Sequence, residues 1–163
     1  MNTYKKAYIA GGCFWGMEDL FRTRKGIKDT EVGYIGGEND NPTYKNHPGH
    51  AEGIELTYDP TETSFTEILD YFYRVHDPTT VDRQGNDRGS SYRSAIFFQN
   101  EEEKKQSEEM IELVDASNRW PSKIVTTLEP YSKFWPAEDY HQDYLVKNPN
   151  GYTCHFERFE TFL

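Results

Sequence analysis

Apolar and polar positions alternate along this chain with two different periods, and the switches between them mark its elements. Lys5 to Ala10 has the composition of a strand and runs into Gly11-Gly12; Phe14, Met17, Leu20 and Phe21 then recur at helical spacing and predict a helix from Cys13 to Arg24. Thr30 to Ile35 predicts a short strand stopped by Gly36-Gly37, and the polar stretch Glu38 to His50 separates it from a clearer strand at Ala51 to Tyr58. Ser64-Phe65-Thr66-Glu67 has the form of a capping box, in which a hydroxyl and a carboxylate occupy the free N–H groups of a helix start. Phe65, Ile68, Leu69, Phe72 and Val75 supply the buried stripe of the helix it opens. A polar loop from Asp77 to Ser91 leads to a strand at Tyr92 to Gln99, built around Ala95-Ile96-Phe97-Phe98. Asn100 and Glu103 can cap a helix from Glu101 to about Ser117, with Met110, Ile111, Leu113 and Val114 facing inward. Ile124 to Leu128 is the last predicted strand. Glu129 to Leu163 is aromatic-rich, with one short helical stretch around Ala137 to Val146 and turn chemistry at Asn148-Pro149-Asn150-Gly151, and is expected to drape over the domain.

The resulting order, β-α-β-β-α-β-α-β, contains a βαββαβ core and predicts an α/β (α+β) fold: a two-layer ferredoxin-like α-β plait with helices on one face of the sheet and a long C-terminal tail. A doubly wound parallel sheet is the competitor, and the adjacency of the second and third strands counts against it, because parallel neighbours need a crossover between them. No repeat or Pro/Gly/Ser linker divides the 163 residues, so positions 1–163 are expected to form one domain, with 130–163 as its C-terminal segment. A mean hydropathy of -0.92 would suggest disorder, but 25 aromatic residues, 15% of the chain, can build a core. No apolar run approaches the ~18 residues of a membrane helix and the first twelve residues lack the apolar stretch of a signal peptide, so a cytoplasmic protein is expected, without a membrane partner. The net charge of -10 has the wrong sign for a general nucleic-acid surface. Part of it is local, since Glu101, Glu102, Glu103, Glu108, Glu109, Glu112 and Asp115 face only Lys104 and Lys105 in one segment, as on a solvated helix face.

Two cysteines, Cys13 and Cys154, do not make the disulfide framework of a small secreted protein. Cys13 follows two glycines where a helix opens; there the free N–H groups and the helix dipole would favour a thiolate and lower its pKa. Phe14 and Trp15 place two large aromatic groups beside it, an apolar cup suited to a small uncharged substrate group. Glu52 starts a strand and can point into the same crevice, where burial would raise its pKa and leave it protonated as a general acid. Tyr44 and Tyr92 can donate hydroxyl hydrogen bonds, and Asp87 lies in the loop before Tyr92. The five histidines keep two other readings open, a cysteine hydrolase in which an imidazole activates Cys13 and a metal site at His47-Pro48-Gly49-His50. A third reading is a module that binds peptides through its aromatic residues without chemistry.

The ordered set Gly12-Cys13-Phe14-Trp15-Gly16, Gly33-Tyr34 with Gly36-Gly37, Pro42-Thr43-Tyr44, Gly49-His50-Ala51-Glu52, His76-Asp77-Pro78, Arg83-Gln84-Gly85-Asn86-Asp87 with Tyr92-Arg93-Ser94, and Tyr140-His141-Gln142 resembles the peptide methionine sulfoxide reductases of type A across most of the chain. The resemblance implies thiol-dependent reduction of methionine S-sulfoxide, free or in peptides, as repair after oxidative damage. It implies that Cys13 attacks the sulfoxide sulfur, that Phe14 and Trp15 hold the S-methyl group, and that Glu52 protonates the oxygen. Tyr44 and Tyr92 would steady that oxygen, and Asp87 would help organise the site through water. Cys13 then becomes a sulfenic acid, which Cys154 resolves as a disulfide; Gly151-Tyr152-Thr153-Cys154-His155 is similar to the recycling segment of members with one resolving cysteine. Some members carry a further C-terminal cysteine, and none follows Cys154 here. Thioredoxin is the implied reductant, a monomer the expected state, and no metal, flavin or nicotinamide cofactor is expected.

Overall fold

The computed structural model describes residues 3–163. Its elements in chain order are β1 (Lys5–Gly11), α1 (Phe14–Arg22), β2 (Ile27–Ile35), β3 (Ala51–Tyr58), α2 (Phe65–Val75), β4 (Arg83–Gln84), β5 (Asp87–Arg88), β6 (Ser94–Phe98), α3 (Glu101–Ser117), β7 (Thr127–Pro130), β8 (Phe134–Pro136) and α4 (Tyr144–Lys147). Six strands form one sheet in the order β7-β6-β1-β3-β2-β8, antiparallel except for the β6–β7 pair, while β4 and β5 form a small separate hairpin. The fold is mixed α/β. Period-2 alternation divides each central strand between two faces. Ala7, Ile9, Val32, Tyr34, Ile54, Leu56 and Ile96 join Phe14, Met17, Phe21 and the inner faces of α2 and α3 in the main core. Tyr8, Ala10, Ile35, Ala51, Ala95, Phe97 and Phe134 make a smaller cluster on the opposite face.

The helix caps form where the local chemistry places them. Ser64 accepts the Glu67 N–H and Asn100 accepts the Glu103 N–H, each occupying a donor that the first helical turn cannot satisfy internally. Several boundaries differ from expectation. Leu113 is 40% exposed on α3 rather than inward, because Met110 and Val114 already fill the contact with α2 and the sheet. The last predicted strand, 124–128, is shifted to Thr127–Pro130, where it pairs in parallel with β6. Strand β6 begins at Ser94, and Tyr92 instead closes a 3-10 turn, Ser90–Tyr92, that lifts it out of the ladder.

The larger difference is the tail, which is built into the sheet as well as lying over it. Phe134–Pro136 adds β8 to the free edge of β2, and the Gln142 side chain continues the edge by accepting the Val32 N–H and donating to the Val32 carbonyl, both at 2.9 Å. Further on, the buried Asp70 carboxylate of α2 accepts the Phe162 N–H at 2.7 Å and the Thr161 hydroxyl at 3.0 Å. An edge strand of three residues carries too little pattern to be read from sequence; what selects it is the open edge of β2.

Gly33 makes that edge approachable, since a β-carbon there would collide with the Trp135 carbonyl and the Phe134 ring. Gly33→Ala is expected to lower stability by about 1–3 kcal/mol in urea unfolding through overpacking of β8. An unchanged unfolding midpoint would show that β8 is not held in this register.

Candidate active site

Antiparallel pairing brings the chemistry together. β1 runs opposite to both β3 and β6, so the end of β1 lies beside the starts of its two neighbours; Ile9 faces Ile54 and Gly11 faces Ser94. Cys13 just after β1, Glu52 near the start of β3 and Tyr92 just before β6 therefore meet at one end of the sheet. Glu52 shares its face with Ile54 and Leu56, the helix-covered one, which aims its carboxyl beneath α1. Gly12 turns the chain from β1 into α1 at φ +98, a conformation that side-chain-bearing residues rarely adopt.

Cys13 occupies the cap position of α1 and is 6% exposed. Glu52, 2% exposed, accepts the Phe14 N–H through Oε1 at 3.2 Å, so the carboxyl caps the helix start that the thiol occupies. Burial raises the Glu52 pKa from 4.5 to about 8, against the opposing pull of the Phe14 N–H. The expected low-pKa thiolate does not emerge for Cys13. Burial, and then the Glu52 charge, push the thiol above its ordinary value, and the Trp15 N–H at the helix start only partly offsets them. Desolvation of the buried sulfur outweighs the favourable dipole of the helix start. At neutral pH a protonated Glu52 is uncharged, which removes its repulsion of a thiolate.

Tyr44 and Tyr92 lie with their hydroxyls beside each other. Burial first, then the nearby Glu52 charge, raises the pKa of both, so both stay protonated donors. Asp87 is close enough to bear on Cys13, Glu52 and both tyrosines, and it accepts the Tyr152 hydroxyl at 3.1 Å. The aromatic pair divides in two. Phe14 is fully buried against Tyr34 and His141, so it backs the site from within. Trp15 is only partly buried; it stacks on Tyr144 at 3.8 Å between ring centroids and donates its indole N–H to His141 Nδ1 at 3.0 Å. The open aromatic wall is thus Trp15 rather than both rings. Cys154 is half-buried and a free thiol like Cys13, near enough for the charge of one to bear on the other.

Four positioning residues escaped the sequence reading. Glu138 accepts the Tyr34 hydroxyl at 2.8 Å and the Tyr44 N–H at 3.0 Å, anchoring the Tyr44 loop to β2. Arg93 forks onto Glu129 at 3.0 and 3.1 Å and donates to the carbonyls of Gly49 and Ser90, tying the Tyr92 turn to β7 and to the loop that precedes Glu52. Gln84 pairs its amide with both backbone groups of Asp77 at 2.8 Å and so holds the hairpin that carries Asp87. His141 orients Trp15. Arg93, Gln84 and His141 stand inside the motifs quoted above, which marked their positions without marking a role; Glu138 had no signal.

The histidine readings lose their basis. His47 bonds the Thr43 carbonyl and Ser91, His50 bonds the Gly37 N–H and the Asn39 carbonyl, and His76 bonds the Phe72 carbonyl and Ser94. Among the described residues no imidazole hydrogen-bonds Cys13, and no three His, Cys, Asp or Glu side chains gather as metal ligands. Two surface hollows of about 510 and 300 Å³ lie at the starts of α2 and α3 and beside Tyr71, away from these groups.

The chain matches the family model described as Peptide methionine sulfoxide reductase over residues 5–161. It is 56% identical to a peptide methionine sulfoxide reductase MsrA of Nocardia farcinica, with 97% of this chain and 93% of that one covered. Among solved structures it is similar to reduced Mxr1 from Saccharomyces cerevisiae, at 37% identity and a TM-score of 0.88, covering 96% of this chain and 93% of that one. It is also similar to Mxr1 in complex with Trx2, at 28% identity and a TM-score of 0.66, covering 96% and 91%.

Because Glu52 binds its proton more tightly in the folded than in the unfolded chain, stability should fall as pH rises from about 4.5 through about 8. Glu52→Gln removes that decline: its unfolding free energy should match the parent's near pH 4 and exceed it near pH 8.5, by on the order of a few kcal/mol. Parallel stability profiles in urea titrations across this range would show that the carboxyl is not held protonated by burial.

Proposed function

This chain belongs to the peptide methionine sulfoxide reductase family, and we propose that the buried Cys13–Glu52 pair at the start of α1 is where it carries out the reaction. The protein is an oxidoreductase that reduces methionine sulfoxide to methionine, a repair activity recycled by thioredoxin. The observation that carries the site assignment is the buried Glu52 carboxyl seated on the N–H of the residue that follows Cys13, where burial raises its pKa to about 8.

A sulfoxide oxygen accepts hydrogen bonds strongly but leaves sulfur poorly unless it is protonated. In the proposed step Glu52 delivers its proton to the sulfoxide oxygen, to which the Tyr44 and Tyr92 hydroxyls donate, and the Cys13 sulfur attacks the sulfoxide sulfur as its thiol proton passes to the Glu52 carboxylate. The bond formed between the two sulfurs and the sulfur–oxygen bond of the substrate then break as the hydroxyl passes to Cys13. The substrate is reduced by two electrons to the thioether, and Cys13 is oxidised to a sulfenic acid. Trp15 offers the apolar wall for the S-methyl group, with Phe14 behind it, and Asp87 orders the polar side of the site. A pocket that fixes methyl, oxygen and attack line together accepts one epimer, the S form by family membership. Cys154 condenses with the sulfenic acid, and thioredoxin reduces the disulfide.

The finer architecture follows the same proposal. The order β6-β1-β3-β2 with α1 and α2 as crossovers supports reading the centre of the sheet as an α-β plait, extended by β7 and β8. The whole chain acts as one catalytic domain, a monomer working in the cytoplasm without a cofactor of its own. No helix among the described residues is long and apolar enough to cross a membrane.

Cys13→Ser is expected to abolish methionine formation from a methionine-sulfoxide peptide; retained activity would refute the assignment. Glu52→Gln should slow the first turnover by about 10²–10⁴-fold with Cys13 still alkylatable, since an amide cannot supply the proton. An unchanged rate would remove Glu52 from its role. Cys154→Ser should keep one turnover and lose thioredoxin-driven cycling, whereas full cycling would show that another route resolves Cys13.

A further inference from the structure

The segment that carries Cys154 has no regular hydrogen-bond ladder, yet its side chains alternate. Tyr152 and Cys154 face the β4–β5 hairpin: the Tyr152 hydroxyl donates to Asp87 at 3.1 Å, and a β-carbon at Gly85 would lie 3.6 Å from Cys154 Sγ. Thr153 and His155 face the other way, onto α1, where a β-carbon at Gly16 would collide with the Thr153 hydroxyl and the His155 ring. His155 is 6% exposed. Its Nε2 lies 2.7 Å from the Gly11 carbonyl, at the end of β1 and two residues before Cys13. A carbonyl only accepts, so Nε2 carries the proton and Nδ1 is left as an acceptor, 3.9 Å from Cys154 Sγ. The ring thus has a built socket, formed by the bare backbones of Gly12 and Gly16 and closed by one buried hydrogen bond.

We propose that His155 is a positioning residue that sets the register of the resolving segment, so that docking in the Gly12–Gly16 socket turns Cys154 toward Cys13. The logic is that of an alternating chain, in which a slip by one residue exchanges the two faces. With His155 seated on α1, Tyr152 and Cys154 are committed to the Asp87 side, where the sulfenic acid forms. With the seat lost, Cys154 is free to point into solvent, and the effective concentration of its thiol at Cys13 falls. This inference rests on Cys154 being the resolving thiol. In the step it serves, the Cys154 sulfur attacks the sulfur of the Cys13 sulfenic acid, an S–S bond forms and the S–O bond breaks. The oxygen leaves as water with the thiol proton of Cys154, so Cys154 is oxidised and Cys13 is reduced to the disulfide level.

The test compares His155→Ala and His155→Gln with the parent in single turnover on a methionine-sulfoxide peptide without reductant. Methionine formation, Cys13–Cys154 disulfide by mass spectrometry, and sulfenic acid trapped by dimedone are followed separately. In His155→Ala methionine should form at the parental rate, while the disulfide forms about tenfold or more slowly and trapped sulfenic acid rises to match. His155→Gln keeps a side-chain amide that can donate to the Gly11 carbonyl and should recover most of the disulfide rate. A disulfide rate in His155→Ala equal to the parent's overturns the proposal, as does an equal loss of methionine and disulfide formation, which would mean general damage to the site. Failure of His155→Gln to recover overturns the backbone bond as the cause. Full thioredoxin-driven cycling in Cys154→Ser overturns the resolving role itself and this inference with it, whereas lost cycling there with an unaffected His155→Ala overturns the register alone.

Discussion

The burial of one carboxyl beneath the first turn of α1 organises this protein. Glu52 reaches that place because it shares a face of β3 with Ile54 and Leu56, and it is tolerated there because the Phe14 N–H gives it a partner and because it keeps its proton. The same lack of water that holds the proton on Glu52 holds one on Cys13. Two neutral acids therefore stand side by side at neutral pH. On the proposed reaction, the carboxylate left when Glu52 gives up its proton is the group that can take the proton of the thiol beside it.

Around that pair the structure spends its polar groups on holding loops. Arg93 gathers β7, the 3-10 turn of Tyr92 and the loop before Glu52 at one guanidinium, whose planar fork matches the Glu129 carboxylate. Glu138 fixes Tyr44 from the opposite edge, and Gln84 fixes the hairpin of Asp87. None of these residues needs to touch substrate. Each removes freedom from the loop that carries Tyr44, Tyr92 or Asp87, the groups proposed to face the substrate oxygen.

The C-terminal tail is held at both of its ends. Its first part, through β8, Glu138, His141 and Tyr144, closes the site on the Trp15 side. Its last part is tied to α2 by Asp70 and by Arg74, which donates to the Phe159 carbonyl at 2.9 Å. Cys154 is thus carried on a stretch anchored at both ends.

Much of this was legible in the chain itself. The helices α1, α2 and α3 announce themselves by apolar spacing and by the caps Ser64 and Asn100; the glycine pair before Cys13 announces a turn into a helix; the ordered motifs name the chemistry. These signals are local, and local signals survive in sequence because a cap or an amphipathic stripe is satisfied within a few residues. What only the tertiary structure decided depends on residues brought from far apart. It reversed the expected shift at Cys13, since desolvation is set by everything packed around the sulfur and not by its own helix. It buried Phe14 and left Trp15 as the open wall, drew a three-residue strand out of the tail because β2 had a free edge, and seated His155 in a socket made by two glycines more than 130 positions earlier. Burial and register are properties of a neighbourhood, and only the folded chain defines one.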